Sequence, residues 1–365
     1  MKKHSILIIS LAILSVTGCS FRNINESRSP AKKPKNIVLF IGDGMGIAHL
    51  NAGMDVVEHT FALETFPFTG FCKTFSFDNY VTDSGAGGTA IACGVKTRNG
   101  MIGMDPDTVA VPSIVELAKK NGLATGVIST SSVTHATPAS FVSHNSGRGN
   151  YEEIAKDFLN NTLDLFIGGG EDHFRNRADG ADLTVTLKKQ GFDVVYTLDD
   201  LKESQSTKLA GLLAKEHMPY VLEGRQGMLR EMTIKALETL SKNKNGFFLM
   251  IEASQIDWAA HGGDLLNIVA EVIDMDDAVG ASLEFAKANG ETLIVVTADH
   301  ETGGLSLVGG DKQKRSINGN FISTYNHTGV MVPILSYGPG AERFTGIHDN
   351  TFFFGEFLDL LKIKK

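Results

Sequence analysis

Cysteine is scarce in this chain. There are three in 365 residues, and one of them, Cys19, falls in a leader-like start. The other two, Cys72 and Cys93, form no close-spaced pair, which excludes a zinc ribbon and a disulfide-dense scaffold. Their spacing leaves open whether they pair with each other. Proline is sparse as well, with nine residues, and there is no low-complexity tract or internal repeat, which argues against extended disorder. No run of lysine or arginine marks a nucleic-acid face. The formal net charge is −8, a poor match to a phosphate backbone, so an anionic substrate has to be drawn by local cations. The apolar stretch near the N-terminus, residues 6–16, is too short to span a bilayer.

That stretch follows Lys2 and Lys3. A basic start, a short apolar middle and small residues describe a secretory signal. Leu14-Ser15-Val16-Thr17-Gly18-Cys19 resembles a bacterial lipobox, with Cys19 as the expected lipidated first residue of an exported, periplasmic or cell-envelope lipoprotein. Removing residues 1–18 takes away two lysines and no acid, and moves the net charge from −8 to −10. Residues 19–35 are polar, contain Pro30 and Pro34, and read as a tether. Residues 36–365 show no internal linker, and the composition, 42% apolar and 21% charged, is ordinary for a globular domain. One domain is expected there.

What fills that domain is a recurring pattern of acids and histidines just past apolar runs. Residues 36–41 (NIVLFI) lead into Gly42-Asp43-Gly44. Residues 247–251 (FFLMI) end at Glu252, with Asp257 and His261 close behind. Residues 293–297 (LIVVT) deliver Ala298-Asp299-His300. Short apolar runs bounded by glycine read as buried strands, and in an open parallel sheet the carboxyl ends of the strands form the ligand crevice. So much negative charge beside a core requires cations. Further strands are expected at 123–128, 163–167, 192–196 and 330–336, and helices at 111–120, 232–241 and 268–289. The alternation implies an α/β fold, a three-layer α/β/α sandwich around a large, mostly parallel sheet. Residues 171–230 read as a lid or an edge insertion, with a helix at 208–217.

Several constellations carry chemistry. Thr82-Asp83-Ser84-Gly85-Ala86-Gly87-Gly88 looks like a helix start with close backbone approach, where free N–H groups and the helix dipole suit an anion. Alone, Ser84 would be read as an N-cap. Asp257 and His261 lie four apart, on one helix face, a spacing that lets both bind one metal. Trp258 and its neighbours Ala259 and Ala260 make a fully exposed face unlike this stretch. Asp299-His300 and His327 are weak signals singly. Arg148 has the planar fork that suits phosphate.

Together these pieces resemble the alkaline phosphatase family. The motifs run in order from residue 37 to residue 338: Ile41-Gly42-Asp43-Gly44-Met45-Gly46; Val81-Thr82-Asp83-Ser84 followed by Gly94-Val95-Lys96-Thr97; Thr137-Pro138 with Arg148; then Glu252, Asp257 and His261; Ala298-Asp299-His300; and His327-Thr328-Gly329. Chance assembly of all six is not credible. The resemblance implies two zinc ions and one magnesium ion. One zinc takes Asp257, His261 and His327. The second takes Asp43, Asp299 and His300. The magnesium takes Asp43, Thr137 and Glu252. Imidazole with carboxylate suits zinc, and oxygen ligands suit magnesium. Ser84 is the implied nucleophile of a phosphoserine intermediate, and Arg148 holds phosphate.

Asp83, His135 and Trp258 are expected around the phosphate pocket, with His135 and Trp258 also lining the third metal position, where His135 is either a nitrogen ligand or a hydrogen-bonded neighbour and Trp258 either part of the pocket or only packing. The best-known bacterial members carry aspartate and lysine where this chain has His135 and Trp258. The expected activity is hydrolysis of diverse small phosphomonoesters at alkaline pH, and a homodimer is expected from the family alone. A phosphodiesterase or sulfatase of the same broader superfamily is disfavoured by Ser84, Thr137 and Glu252. A binding lipoprotein without turnover is disfavoured by the intact ligand set.

Overall fold

Residues Asn36–Gly42 form the first strand (β1), and every one of them is buried. A strand with no polar alternation has to be covered on both faces, and this one lies inside a ten-stranded sheet. The structure, a computed structural model, describes residues 33–364. The expected signal at 1–18, Cys19 and the tether up to residue 32 lie outside the described residues. The other strands are β2 (Phe68–Lys73), β3 (Ala124–Ser132), β4 (Leu165–Gly169), β5 (Asp193–Val195), β6 (Leu209–Ala214), β7 (Phe247–Ala253), β8 (Thr292–Thr297), β9 (Glu301–Asp311), β10 (Ser316–Thr328), β11 (Val332–Tyr337) and β12 (Gly346–Asp349). The sheet order is β12-β2-β11-β8-β1-β7-β3-β4-β6-β5. Only β11 runs antiparallel to its neighbours, β2 and β8. β9 and β10 form a separate antiparallel hairpin.

Helices Met228–Leu240 and Leu265–Asn289 pack on each other and against β1, β3, β4, β7 and β8. Helices Ser84–Cys93, Ile114–Lys120 and Phe352–Leu360 pack together, with Ile114–Lys120 against β3 and β7. The result is the α/β fold with a large, mostly parallel sheet. Cys72 and Cys93 are both buried and unpaired.

Two local expectations change. Residues 208–217 form no helix; Leu209–Ala214 is β6, hydrogen-bonded between β4 and β5. A short apolar run cannot be sorted into helix or strand by periodicity, and here pairing with β4 decides. Of the two readings of residues 171–230, the edge insertion fits: the segment adds β5 and β6 to the end of the sheet.

The helix Leu265–Asn289 also carries a buried acid away from the crevice. Asp276 accepts hydrogen bonds from the N–H groups of Ala62 (2.8 Å) and Leu63 (3.0 Å), pinning the turn at Leu63–Thr65. Burial pushes its carboxyl up from 3.8 to about 6, against the pull of those two bonds. Between these values the folded chain holds a proton that the unfolded chain has released. Stability therefore falls as pH rises through this window and is flat above it. Asp276→Asn should remove that slope. Melting temperature measured against pH for both proteins checks this, and an unchanged slope in the variant refutes it.

Candidate active site

Four adjacent strands deliver the site. β1 runs directly into Asp43. β7 carries Glu252 opposite Ile41 of β1, and β3 places Ser129 opposite Glu252. β8 ends two residues before Asp299. The helix Gln255–His261 follows β7 and bears Asp257 and His261 on one face. His327 comes from the far end of β10, where an irregular register precedes it.

The structure brings these side chains together in three clusters. Asp257, His261 and His327 form one, and Asp43, Asp299 and His300 a second. The third comprises Asp43, His135 and Glu252. Within each, the potential ligand atoms lie within 4.8 Å of one another. Thr137 reaches the third through Oγ1, 3.4 Å from Asp43 Oδ2. His135, expected to line this position as a potential nitrogen ligand, lies in the cluster. It is the N-cap residue of the short helix Ala136–Ala139, which sets it just before Thr137.

The donor atoms suit cations. Asp299 Oδ1 accepts from the N–H groups of Gly44 (3.2 Å) and His300 (3.0 Å), while its Oδ2 is buried without a hydrogen-bond partner, 3.3 Å from His300 Nε2. Glu252 Oε2 accepts from Ser129 Oγ at 2.5 Å, while Oε1 is buried without a partner. Thr137 holds Asp43 Oδ2, and Asp43 Oδ1 has no hydrogen-bond partner. His135 Nδ1 is in the same condition. Each carboxylate is thus fixed by one oxygen and presents the other to its cluster, which is how a protein orients ligands before an ion arrives. The imidazoles follow the same logic. His327 donates Nδ1–H to the carbonyl of Thr82 (2.9 Å), which leaves its Nε2 as a lone pair facing His261 Nε2 at 3.2 Å. Thr302 Oγ1 donates to Asp257 Oδ1 at 2.5 Å and lies 3.2 Å from His300 Nδ1.

Electrostatics agree with this geometry. Burial, then the neighbouring Asp299, Asp257 and Glu252, holds the Asp43 carboxyl well above the usual range. Burial and Asp257 push Asp299 up to about 7, and burial raises Glu252. His300 is held far below its ordinary value by burial and by His327. Cations held by these side chains would favour the ionised acids and the neutral imidazoles.

Ser84 opens the helix Ser84–Cys93 but does not cap it. Asp83 does, accepting from Ala86 N–H at 2.9 Å. The Ser84 hydroxyl is left free of that task and stands 3.2 Å from His300 Nε2. The helix approaches the second cluster so closely that a Cβ on Gly87 would meet the Asp299 carbonyl oxygen at 3.0 Å. Asp83 Oδ2 also accepts from Gly100 N–H (2.9 Å) and from Arg148 Nη1 (2.8 Å), so one carboxylate orients both the helix start and the arginine. A cavity of about 470 Å³, lined by Thr82, Asp83, His261, Tyr325 and His327 among others, opens beside the first cluster.

Sequence reasoning missed Ser129, Thr302 and His217. Ser129-Thr130-Ser131-Ser132 closes a buried strand with four hydroxyls, and Thr302 follows His300 by two. Both were visible signals at strand ends. His217 was not, because it belongs to the segment whose strand was read as helix. It sits edge-on to Trp258, with ring centroids 4.5 Å apart.

The chain matches the alkaline phosphatase family model over residues 34–320. It is 31% identical to alkaline phosphatase 4 of Bacillus subtilis, over 96% of this chain and 95% of that protein. It is 32% identical to the alkaline phosphatase of Escherichia coli, over 93% and 88%. Among solved structures, the alkaline phosphatase of the Antarctic bacterium TAB5 superposes with a TM-score of 0.87 at 41% identity, covering 92% of this chain and all of that one. A variant of that protein, with a histidine changed to aspartate, was solved with magnesium bound in its M3 site (40% identity, TM-score 0.86, the same coverage).

Proposed function

The chain belongs to the alkaline phosphatase family, and from that membership we propose a double-displacement hydrolysis of phosphate monoesters with Ser84 as nucleophile. The chain is a hydrolase of this class, and metal binding belongs to its chemistry. The finer assignments are our reading, and the observation that carries them is the convergence of acids and imidazoles on three clusters, two of which contain buried carboxylates with an oxygen lacking a hydrogen-bond partner, with Ser84 3.2 Å from His300 of the second.

In this reading Asp257, His261 and His327 would hold one zinc, and Asp43, Asp299 and His300 a second. Asp43, Thr137 and Glu252 would hold magnesium, with His135 alongside. When bound, the ions supply positive charge to the attacking, leaving and non-bridging oxygens. Ser84 Oγ forms a bond to phosphorus as the ester oxygen departs with its electron pair, giving phosphoserine and an alcohol. Water then attacks phosphorus from the vacated side, releasing inorganic phosphate and regenerating the serine. The N-terminal end of the Ser84 helix favours the anion throughout. Arg148, held by Asp83, grips phosphate oxygens in both halves of the reaction. Turnover of a simple aryl phosphate by the purified chain tests the reading; metal-loaded protein that binds phosphate and never releases product would overturn it.

We read the protein in its setting as an exported lipoprotein anchored at Cys19. Among the described residues no helix is long and apolar enough to cross a membrane. An acyl mass on Cys19 in the mature chain tests this, and a mature form starting elsewhere refutes it. A homodimer is our reading of its assembly. Phe75, Tyr80 and Met331 leave apolar surface exposed around a cavity of about 300 Å³, and light scattering at micromolar concentration decides. No specific nucleic-acid partner is proposed.

A further inference from the structure

The edge insertion reaches back into the active site through one side chain. After β6 the chain turns at Lys215, Glu216 and His217, and this turn is pinned on several sides. Met218 O accepts from Gln255 Nε2 at 2.6 Å, from the same helix that carries Asp257. Lys215 O accepts from Asp172 N–H at 2.9 Å. The turn lies so close to β4 that a Cβ on Gly169 would sit 2.0 Å from Glu216 O. His217 Nδ1 accepts the N–H of Ser132, at the end of β3, at 3.1 Å. A ring nitrogen that accepts a backbone N–H carries no proton, so His217 is held as the neutral tautomer with its proton on Nε2.

Three rings interlock at this point. His217 meets Trp258 at 4.5 Å and 79°, and His135 at 5.6 Å and 88°. His135 meets Trp258 at 5.7 Å and 88°. Each pair is edge to face. His135 Nδ1 makes no hydrogen bond, so packing against these rings, and against Tyr151 at 6.5 Å, has to set its orientation. His135 shares the third cluster with Asp43 and Glu252, and Trp258 directly follows Asp257.

We propose that His217 is a positioning residue of the active site: it sets the orientation of His135 and Trp258, and through them the geometry of the third metal position and the phosphate pocket beside it. This rests on the reading of the three clusters as metal positions. The physical reason is that edge-to-face packing gives an unbonded imidazole one orientation, and a ligand fixed before binding binds more tightly than one that must be ordered. Removing the His217 ring frees both neighbours to turn.

Trp258 is the only tryptophan in the chain, so its emission reads this ring cluster directly and without turnover. The experiment compares wild type, His217→Ala and His217→Gln, first as metal-free protein and then as zinc-loaded protein titrated with magnesium. Both variants should shift the emission of Trp258 to longer wavelength as water enters. Both should weaken the magnesium midpoint about tenfold, the scale expected when a group that orients a ligand is lost. The amide oxygen of glutamine can still accept the Ser132 N–H, so His217→Gln should keep the wild-type melting temperature. A role confined to holding the turn would leave its emission and midpoint unchanged. If His217→Ala fails to fold, His217→Gln alone decides. Wild-type emission and a wild-type midpoint in His217→Gln overturn the proposal. A wild-type chain that shows these metal and fluorescence responses but no phosphatase turnover would instead refute the proposed function.

Discussion

Replacing Ser84 with alanine should lower kcat by about three orders of magnitude or more while leaving the metal content of the protein unchanged. Loss of a covalent nucleophile ranks among the largest single-residue effects in enzymes. The structure supplies the reason to expect it here. Ser84 is the first residue of its helix, yet Asp83 takes the capping bond, so the hydroxyl has no structural duty. It lies in a pocket only 2% exposed and 3.2 Å from His300 Nε2, within the reach of an ion at the second cluster. Some turnover should survive, since water positioned by the same cations can attack phosphorus directly. Inorganic phosphate at acidic pH, where release of the second half-reaction slows, should label the wild type at Ser84 and leave the variant unlabelled. A label mapped elsewhere, or a Ser84→Ala enzyme with near wild-type kcat, would sink the assignment. Arg148→Ala offers the contrast. In the proposed mechanism its guanidinium would touch phosphate oxygens present in both ground and transition states, so the loss should fall mainly on KM and on inhibition by phosphate, by roughly ten- to a hundredfold, with kcat less affected.

The parts of this site legible in the sequence share one property: they follow directly from strands that are buried on both faces. Such strands read as plain apolar runs, so the acids at their ends stand out. Asp43, Glu252 and Asp299 belong to that class, and the central order β8-β1-β7-β3 brings them side by side. Asp257 and His261 were legible because a helix repeat places them on one face. Short motifs aligned with a known family then supplied Thr137, His327 and Arg148, which no periodicity would have singled out. His327 shows why. It arrives at the end of a thirteen-residue strand through a break in register, and pairing of that hairpin, with its many glycines, left no alternation to read. His217 shows the other limit. Its strand, Leu-Ala-Gly-Leu-Leu-Ala, satisfies helix and buried-strand patterns equally, and only the neighbouring β4 chooses between them. A misassigned element carries every side chain beyond it to an unknown place, so a ring packed edge-on to Trp258 stayed hidden.

Removing the metals should abolish turnover altogether and also loosen the fold, and the two effects have one cause. Asp43, Glu252 and Asp299 are fully buried at 0% exposure, each with an oxygen that has no hydrogen-bond partner. Charges in that condition are costly unless cations meet them. Ions that bind only the folded chain stabilise it by mass action, by about 4 kcal/mol for each site held a thousandfold above its dissociation constant. Exhaustive chelation should therefore bring a clear fall in melting temperature along with the loss of activity, and zinc plus magnesium should restore both. The clusters also predict a stoichiometry. Asp43 belongs to two of them and His261 to one. Asp43→Ala should thus empty two positions per chain and behave nearly as the chelated protein, whereas His261→Ala should empty one. Metal content per chain by elemental mass spectrometry distinguishes the two variants. Equal losses from both would break the assignment of Asp43 as the shared ligand, and full activity in a chain shown to be free of metal would overturn the metal-dependent mechanism itself, because Arg148, paired with Asp83 at 2.8 Å, offers a single positive charge where the mechanism calls on several cations.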